Sequence, residues 1–161
     1  MQFDVLTTNA ADLRHLLETG QTSSVQIILA YLSQIERHEH ELHVFISVAP
    51  RESLLAIAAD RDEERRLGRT RGPLHGIPVV LKDCFVTASE LGMGTTAGSR
   101  ALVGARASAN SAIAQRLLDQ GLIILGKTNM TVRSPVPGYQ LREEKRVDDW
   151  RWFNARRSLQ G

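Results

Sequence analysis

Lys82 is the residue of this 161-residue chain best placed to do chemistry. It closes the apolar run Ile-Pro-Val-Val-Leu at 77–81, which reads as a buried strand. Open α/β sheets bind ligands at the carboxyl ends of their strands, so the position itself is suggestive. Burial there would disfavour an ammonium, and a neutral lysine amine is a competent general base for a hydroxyl nucleophile. The plainer alternative is a strand-end lysine that reaches solvent or pairs with its neighbour Asp83. The residues alone favour this plainer reading.

Other patterns invite chemistry and lose it on inspection. Gly121-Leu-Ile-Ile-Leu-Gly126-Lys127-Thr128 satisfies the phosphate-loop pattern GxxxxGK[ST] letter by letter. Such a loop needs a strand before it, a flexible turn between its glycines and a helix after the Thr. Here the four intervening residues are themselves a strand candidate, and Asn129-Met-Thr-Val-Arg-Ser-Pro cannot open a normal helix. Nucleotide binding is therefore not expected. Gly92, Gly94 and Gly98 form a second, weaker glycine cluster that reads as a loop. His38, His40 and His43 straddle an expected helix end and strand start without a cysteine nearby, so no metal site and no cofactor is expected. His75, between Leu74 and Gly76, reads as turn packing.

These residues must be held by secondary structure. Thr8 or Asn9 can cap a helix to Glu18 with Leu13, Leu16 and Leu17 on one face. Ser23 and Gln26 have capping-box spacing ahead of a second helix, with Ile27, Ile28, Tyr31, Leu32 and Ile35 on its apolar face and an end near His38. Residues 43–48 read as a strand, and Pro50 opens a third helix towards Leu67. Its second half, 60–66, is charge-dense with pairs such as Asp62–Arg66, as expected of a solvated face. Ser108 or Asn110 can cap a fourth helix to Gln120, with Ile113, Leu117 and Leu118 inward, and Leu122–Leu125 then reads as a strand. Helices alternating with strands predict an α/β fold with a partly parallel sheet.

Composition agrees with a globular protein: 42% hydrophobic and 24% charged residues exclude disorder and collagen. The net charge of +2 is unevenly placed, because residues 132–161 carry 7 basic and 4 acidic side chains while the first 131 residues sum to −1. Half of the eight aromatics also lie in that last segment, among them Trp150 and Trp152. The chain therefore divides into a main part, 1–131, and a divergent basic tail, 132–161. Basic and aromatic residues interleaved could touch single-stranded nucleic acid, but a poorly ordered tail is the plainer expectation. One cysteine, Cys84, rules out an internal disulfide and suits a reducing compartment. No secretory leader and no apolar run near ~18–20 residues is visible, so a cytoplasmic protein without membrane contact is expected.

Three segments together resemble the amidase signature family. Gly72-Pro-Leu-His-Gly-Ile-Pro-Val-Val-Leu-Lys-Asp83 resembles its catalytic-lysine segment, 91–102 its Thr-Thr-Ala-Gly-Ser stretch, and 112–130 its helix–strand unit ending in Gly-Lys-Thr-Asn. The opening is similar to the family's two N-terminal helices, so the likeness runs from about residue 8 to 131. The resemblance implies hydrolysis of small-molecule amides by a Ser–Ser–Lys triad, with Lys82 as the lysine that acts through a bridging serine. It implies the N-terminal helices and an incomplete part of the family's mixed, partly parallel sheet. Cys84 stands where the family usually has Asn, and Val132 where it commonly has Glu. The family's Gly/Ser-rich segment with both serines follows Gly-Lys-Thr-Asn. Neither Ser134, beside Pro135, nor Ser158 resembles it. The chain is accordingly expected to be a truncated amidase, inactive alone, and prone to self-association through uncovered sheet edges. The alternative is a non-catalytic module that pairs with itself or with a full-length amidase.

Overall fold

The computed structural model describes residues 3–130. The expectations for 132–161, including the nucleic-acid reading, lie outside the described residues.

Two helices open the fold, each started by its own cap. Helix α1 (Ala10–Glu18) is capped by Asn9, whose side chain accepts from the backbone N–H groups of Ala11 and Asp12. Helix α2 (Ser24–Leu42) has a complete Ser23–Gln26 capping box. It runs past His38 because the polar stretch that follows contains no stop signal, and it ends at His43, which adopts a left-handed conformation with φ 46. Strand β1 (Phe45–Val48) follows, then helix α3 (Arg51–Arg66) behind Pro50. Strand β2 (Pro78–Lys82), helix α4 (Ala112–Asp119) and strand β3 (Ile123–Thr128) complete the regular elements.

The three strands form one sheet in the order β1-β3-β2. Strand β2 runs parallel to β3, and β1 runs antiparallel to it, so the sheet is mixed as well as partly parallel. The central strand is apolar and buried from Ile123 to Leu125. Ile28 and Leu32 of α2, Leu54 and Ala58 of α3 and Ala114 of α4 pack with it and with Leu81 in one core. A second cluster joins Leu13 and Leu17 of α1 to Ile27 and Ile77. The residues Leu122–Thr128 are therefore turn exit and strand, which removes the phosphate-loop pattern for a structural reason.

Two local expectations are corrected. Helix α4 is capped by Ser111, not by Ser108 or Asn110, because Asn110 Oδ1 is taken by the N–H of Ala88 at 2.7 Å. The later start turns Ala114 inward and leaves Ile113 51% exposed. The charge-dense half of α3 is also more than a solvated face. Asp62 accepts the N–H groups of Ser24 and Val25 at 2.7 and 3.1 Å and so caps α2 from outside, and its ion-pair partner is Arg65, not Arg66. Arg61 is only 9% exposed.

The same face of α3 holds the loop that enters β2. His75 is buried, and its Nδ1 accepts the N–H of Arg71 while Nε2 lies 3.0 Å from the carbonyl of Arg61. Nδ1 is thus unprotonated and Nε2 donates, a neutral ring with both nitrogens used. Burial pushes this imidazole below its ordinary value; the hydrogen bond to the Arg61 carbonyl opposes the shift, the Arg65 and Arg61 charges add to it, and Glu64 acts against it. A depressed histidine makes stability rise with pH where the unfolded chain holds the extra proton. The contribution of His75 is complete above about pH 6.5 and is lost as pH falls towards the lower, folded value. Urea midpoints should therefore drop between neutral pH and pH of about 5, and His75→Gln should flatten that dependence. An equal drop in the variant would assign it elsewhere.

Candidate active site

Strand β2 delivers Lys82 to the carboxyl end of the parallel pair. Register places Leu81 beside Lys127 and Lys82 beside Thr128. Successive side chains of a strand point to opposite faces, so Leu81 and Lys127 share one face while Lys82 and Thr128 share the other. Burial follows that division: Leu81 and Lys127 are buried, whereas Lys82 is exposed. The expected desolvation of Lys82 is thus not seen among the described residues. The lysine that loses its water is Lys127.

Beneath the sheet, Lys127 belongs to a compact polar cluster. Its Nζ lies 3.4 Å from Asp83 Oδ1, with both side chains wholly buried, and donates to Thr95 Oγ1 at 2.8 Å. Burial pushes the Lys127 ammonium below the ordinary lysine value, and the Asp83 carboxylate opposes that shift. The other carboxylate oxygen, Asp83 Oδ2, accepts the N–H of Thr96 at 3.1 Å and its hydroxyl at 2.6 Å. Thr95 Oγ1 also accepts the N–H of Thr87 at 3.2 Å. A buried charge pair is tolerable only with such further partners. The cluster ties the end of β2, the end of β3 and the Thr95–Thr96 loop together.

Of the residues singled out from sequence, Lys82 stands at a strand end as expected, but Asp83 gives its carboxylate to Lys127 and not to Lys82. Among the described residues Lys82 makes no ion pair. Cys84 is an exposed free thiol in the turn beyond. Sequence reasoning missed Lys127, Asp83, Thr95 and Thr96 as a unit. The available signal was a lysine continuing an otherwise apolar strand, which needs a buried partner. His38 and His40 lie on α2 and His43 caps it; no three His, Cys, Asp or Glu among the described residues are grouped to hold a metal ion. No helix among them is long and apolar enough to cross a membrane.

The sequence profile of the family described as Amidase matches residues 26–133. The chain belongs to the amidase signature family. It is 39% identical over 127 residues to a glutamyl-tRNA(Gln) amidotransferase subunit from Thermobifida fusca, covering 79% of this chain and 25% of that protein. A putative amidase of Arthroderma benhamiae is 36% identical over 109 residues, which is 68% of this chain and 18% of the relative. The crystal structure of native peptide amidase from Stenotrophomonas maltophilia superimposes with a TM-score of 0.70 at 42% identity, over 77% of this chain and 25% of its own. The chain thus spans between 18% and 25% of the length of these three relatives.

Proposed function

We propose that this chain is the N-terminal part of an amidase-signature hydrolase in which Lys82 is the base of a Ser–Ser–Lys triad, and that it does not hydrolyse amides alone. One observation carries the reading: a lysine without an ion-pair partner among the described residues, at the carboxyl end of a parallel strand, within a fold that matches a quarter of a peptide amidase. In the assembled site the Lys82 amine would accept a proton from a bridging serine, which in turn takes one from the serine that attacks the amide carbonyl. Both serines belong to the family's segment beyond Gly-Lys-Thr-Asn. Without nucleophile and oxyanion donors, the lysine has nothing to activate.

The second reading, a module that pairs with itself or with a full-length amidase, is favoured by the outer edge of β2. Among the described residues that edge has no strand beside it in the sheet, and Val80 on it is 45% exposed. Unpaired strand edges are templates for another chain. One sample tests both readings. The purified chain is expected to release no ammonia from simple amides and to sediment as a mixture heavier than a monomer. Ammonia release abolished by Lys82→Ala would show that the chain is active alone. A strict monomer would remove self-pairing, and failure to co-sediment with an added full-length amidase would remove the rest of the second reading.

A further inference from the structure

We propose that Lys127 is a positioning residue for the chemistry assigned to Lys82: by binding Asp83 beneath the sheet, it withholds that carboxylate from the adjacent Lys82 amine. The inference rests on Lys82 being the base.

Asp83 follows Lys82 directly, and a carboxylate within a few ångströms of a lysine favours the ammonium. A lysine held as its ammonium cannot accept a proton. Strand alternation starts the two side chains on opposite faces, and the structure holds Asp83 on its own face. Asp83 is held at three points: Oδ1 by the Lys127 ammonium, Oδ2 by two donors of Thr96, and its N–H by the carbonyl of Thr128 at 3.1 Å. Lys127 is itself fixed by Thr95. The alternation along β2 then leaves Lys82 on the open face with no carboxylate partner among the described residues.

Stability alone does not account for this pair. A buried ion pair is often no more stable than apolar side chains of the same size, so its presence points to a role in specificity. Here the specific outcome is which of two lysines receives the one carboxylate at the strand end. The pair is neutral as a whole, and so adds little net field at Lys82.

The test needs no hydrolysis. The full chain and its variants are treated with a limiting acetyl N-hydroxysuccinimide ester near pH 8, below the ordinary lysine value. Acylation of Lys82 is read by mass spectrometry against added Nα-acetyl-lysine. In Lys127→Met, Asp83 is released, and acylation of Lys82 should slow by about two- to fivefold, the effect of an exposed ion pair. In Asp83→Asn/Lys127→Met the rate should return to that of the parent. An unchanged rate in Lys127→Met, or equal slowing in both variants, overturns the inference, because a merely structural brace would affect both alike. If Lys127→Met does not hold its fold, Lys127→Gln, which loses the charge but keeps a polar side chain, takes its place: slowing of Lys82 acylation that Asp83→Asn restores supports the inference, and an unchanged rate overturns it. Failure of Lys82 as the base would leave this acylation pattern intact, because acylation reads only the accessibility and charge of its amine.

Discussion

Lys127→Met is expected to lower the unfolding free energy by about 3–5 kcal/mol, the usual cost of removing one partner from a buried pair. The loss comes from what is left behind more than from what is removed. Asp83 is wholly buried, and its Oδ1 makes no hydrogen bond among the described residues, so the Lys127 ammonium at 3.4 Å is what offsets its charge there. With the ammonium gone, a carboxylate remains in a low-dielectric site with only the two Thr96 donors on its other oxygen. It must then take up a proton, admit water or swing outward, and each response disturbs the turn after β2. Asp83→Asn/Lys127→Met should lose far less, no more than about 1–2 kcal/mol, because it leaves no charge and an amide oxygen can still accept from Thr96. Urea unfolding followed by circular dichroism gives both numbers from midpoint and slope. A single variant within about 1 kcal/mol of the parent would mean that the pair is open to solvent. The comparison matters because a domain holds only about 5–15 kcal/mol in all.

That cluster also marks the limit of what could be read from the residues. Elements whose causes are local were legible. Asn9, Ser23 with Gln26, and Pro50 each announce a helix through chemistry within one turn, and the apolar faces of α1 and α2 follow from spacing. Errors appear where a distant partner decides. Asn110 and Ser111 are equally good caps in isolation, and only Ala88, claiming Asn110, settles which one serves. Asp62 looks like half of a surface pair until Ser24 and Val25 are seen to need its oxygens. Strand β3 reads as Leu122–Leu125, since Gly126 and Lys127 look like an exit turn. Pairing with β2 carries it on to Thr128. Lys82 was legible as a position at a strand end and through the family resemblance. Lys127 was not, because a lysine is assigned to solvent by default until its counter-ion is known, and Asp83 lies far away along the chain.

Gly121→Ala should be the second severe substitution, costing about 2–5 kcal/mol from two separable causes. Gly121 ends α4 with φ +82, and an added Cβ would stand 2.2 Å from Nδ1 of His75. The backbone part is a left-handed conformation forced on a residue with a Cβ, about 1–2 kcal/mol. The remainder is the displacement of a buried ring whose two nitrogens are committed to Arg71 and Arg61, and an orphaned buried group costs about 1–3 kcal/mol. Gly20→Ala isolates the first cause, since Gly20 has φ +67 and nothing within 4 Å of its would-be Cβ. It should lose only the backbone part. In a His75→Ala background the clash disappears, so Gly121→Ala should then cost no more than Gly20→Ala does. A coupling near zero between Gly121 and His75 would show that the ring yields freely. The contact bears on the candidate site through the backbone. Gly76 donates to the carbonyl of Gly121 at 2.8 Å, and Ile123 donates to that of Ile77 at 3.1 Å, so the turn around His75 starts the parallel pairing of β2 with β3. Five residues on, the strand ends with Lys82 exposed, and Asp83 in the turn beyond is buried. A shift of His75 therefore enters the register at the point from which the separation of that lysine from its neighbouring carboxylate is set.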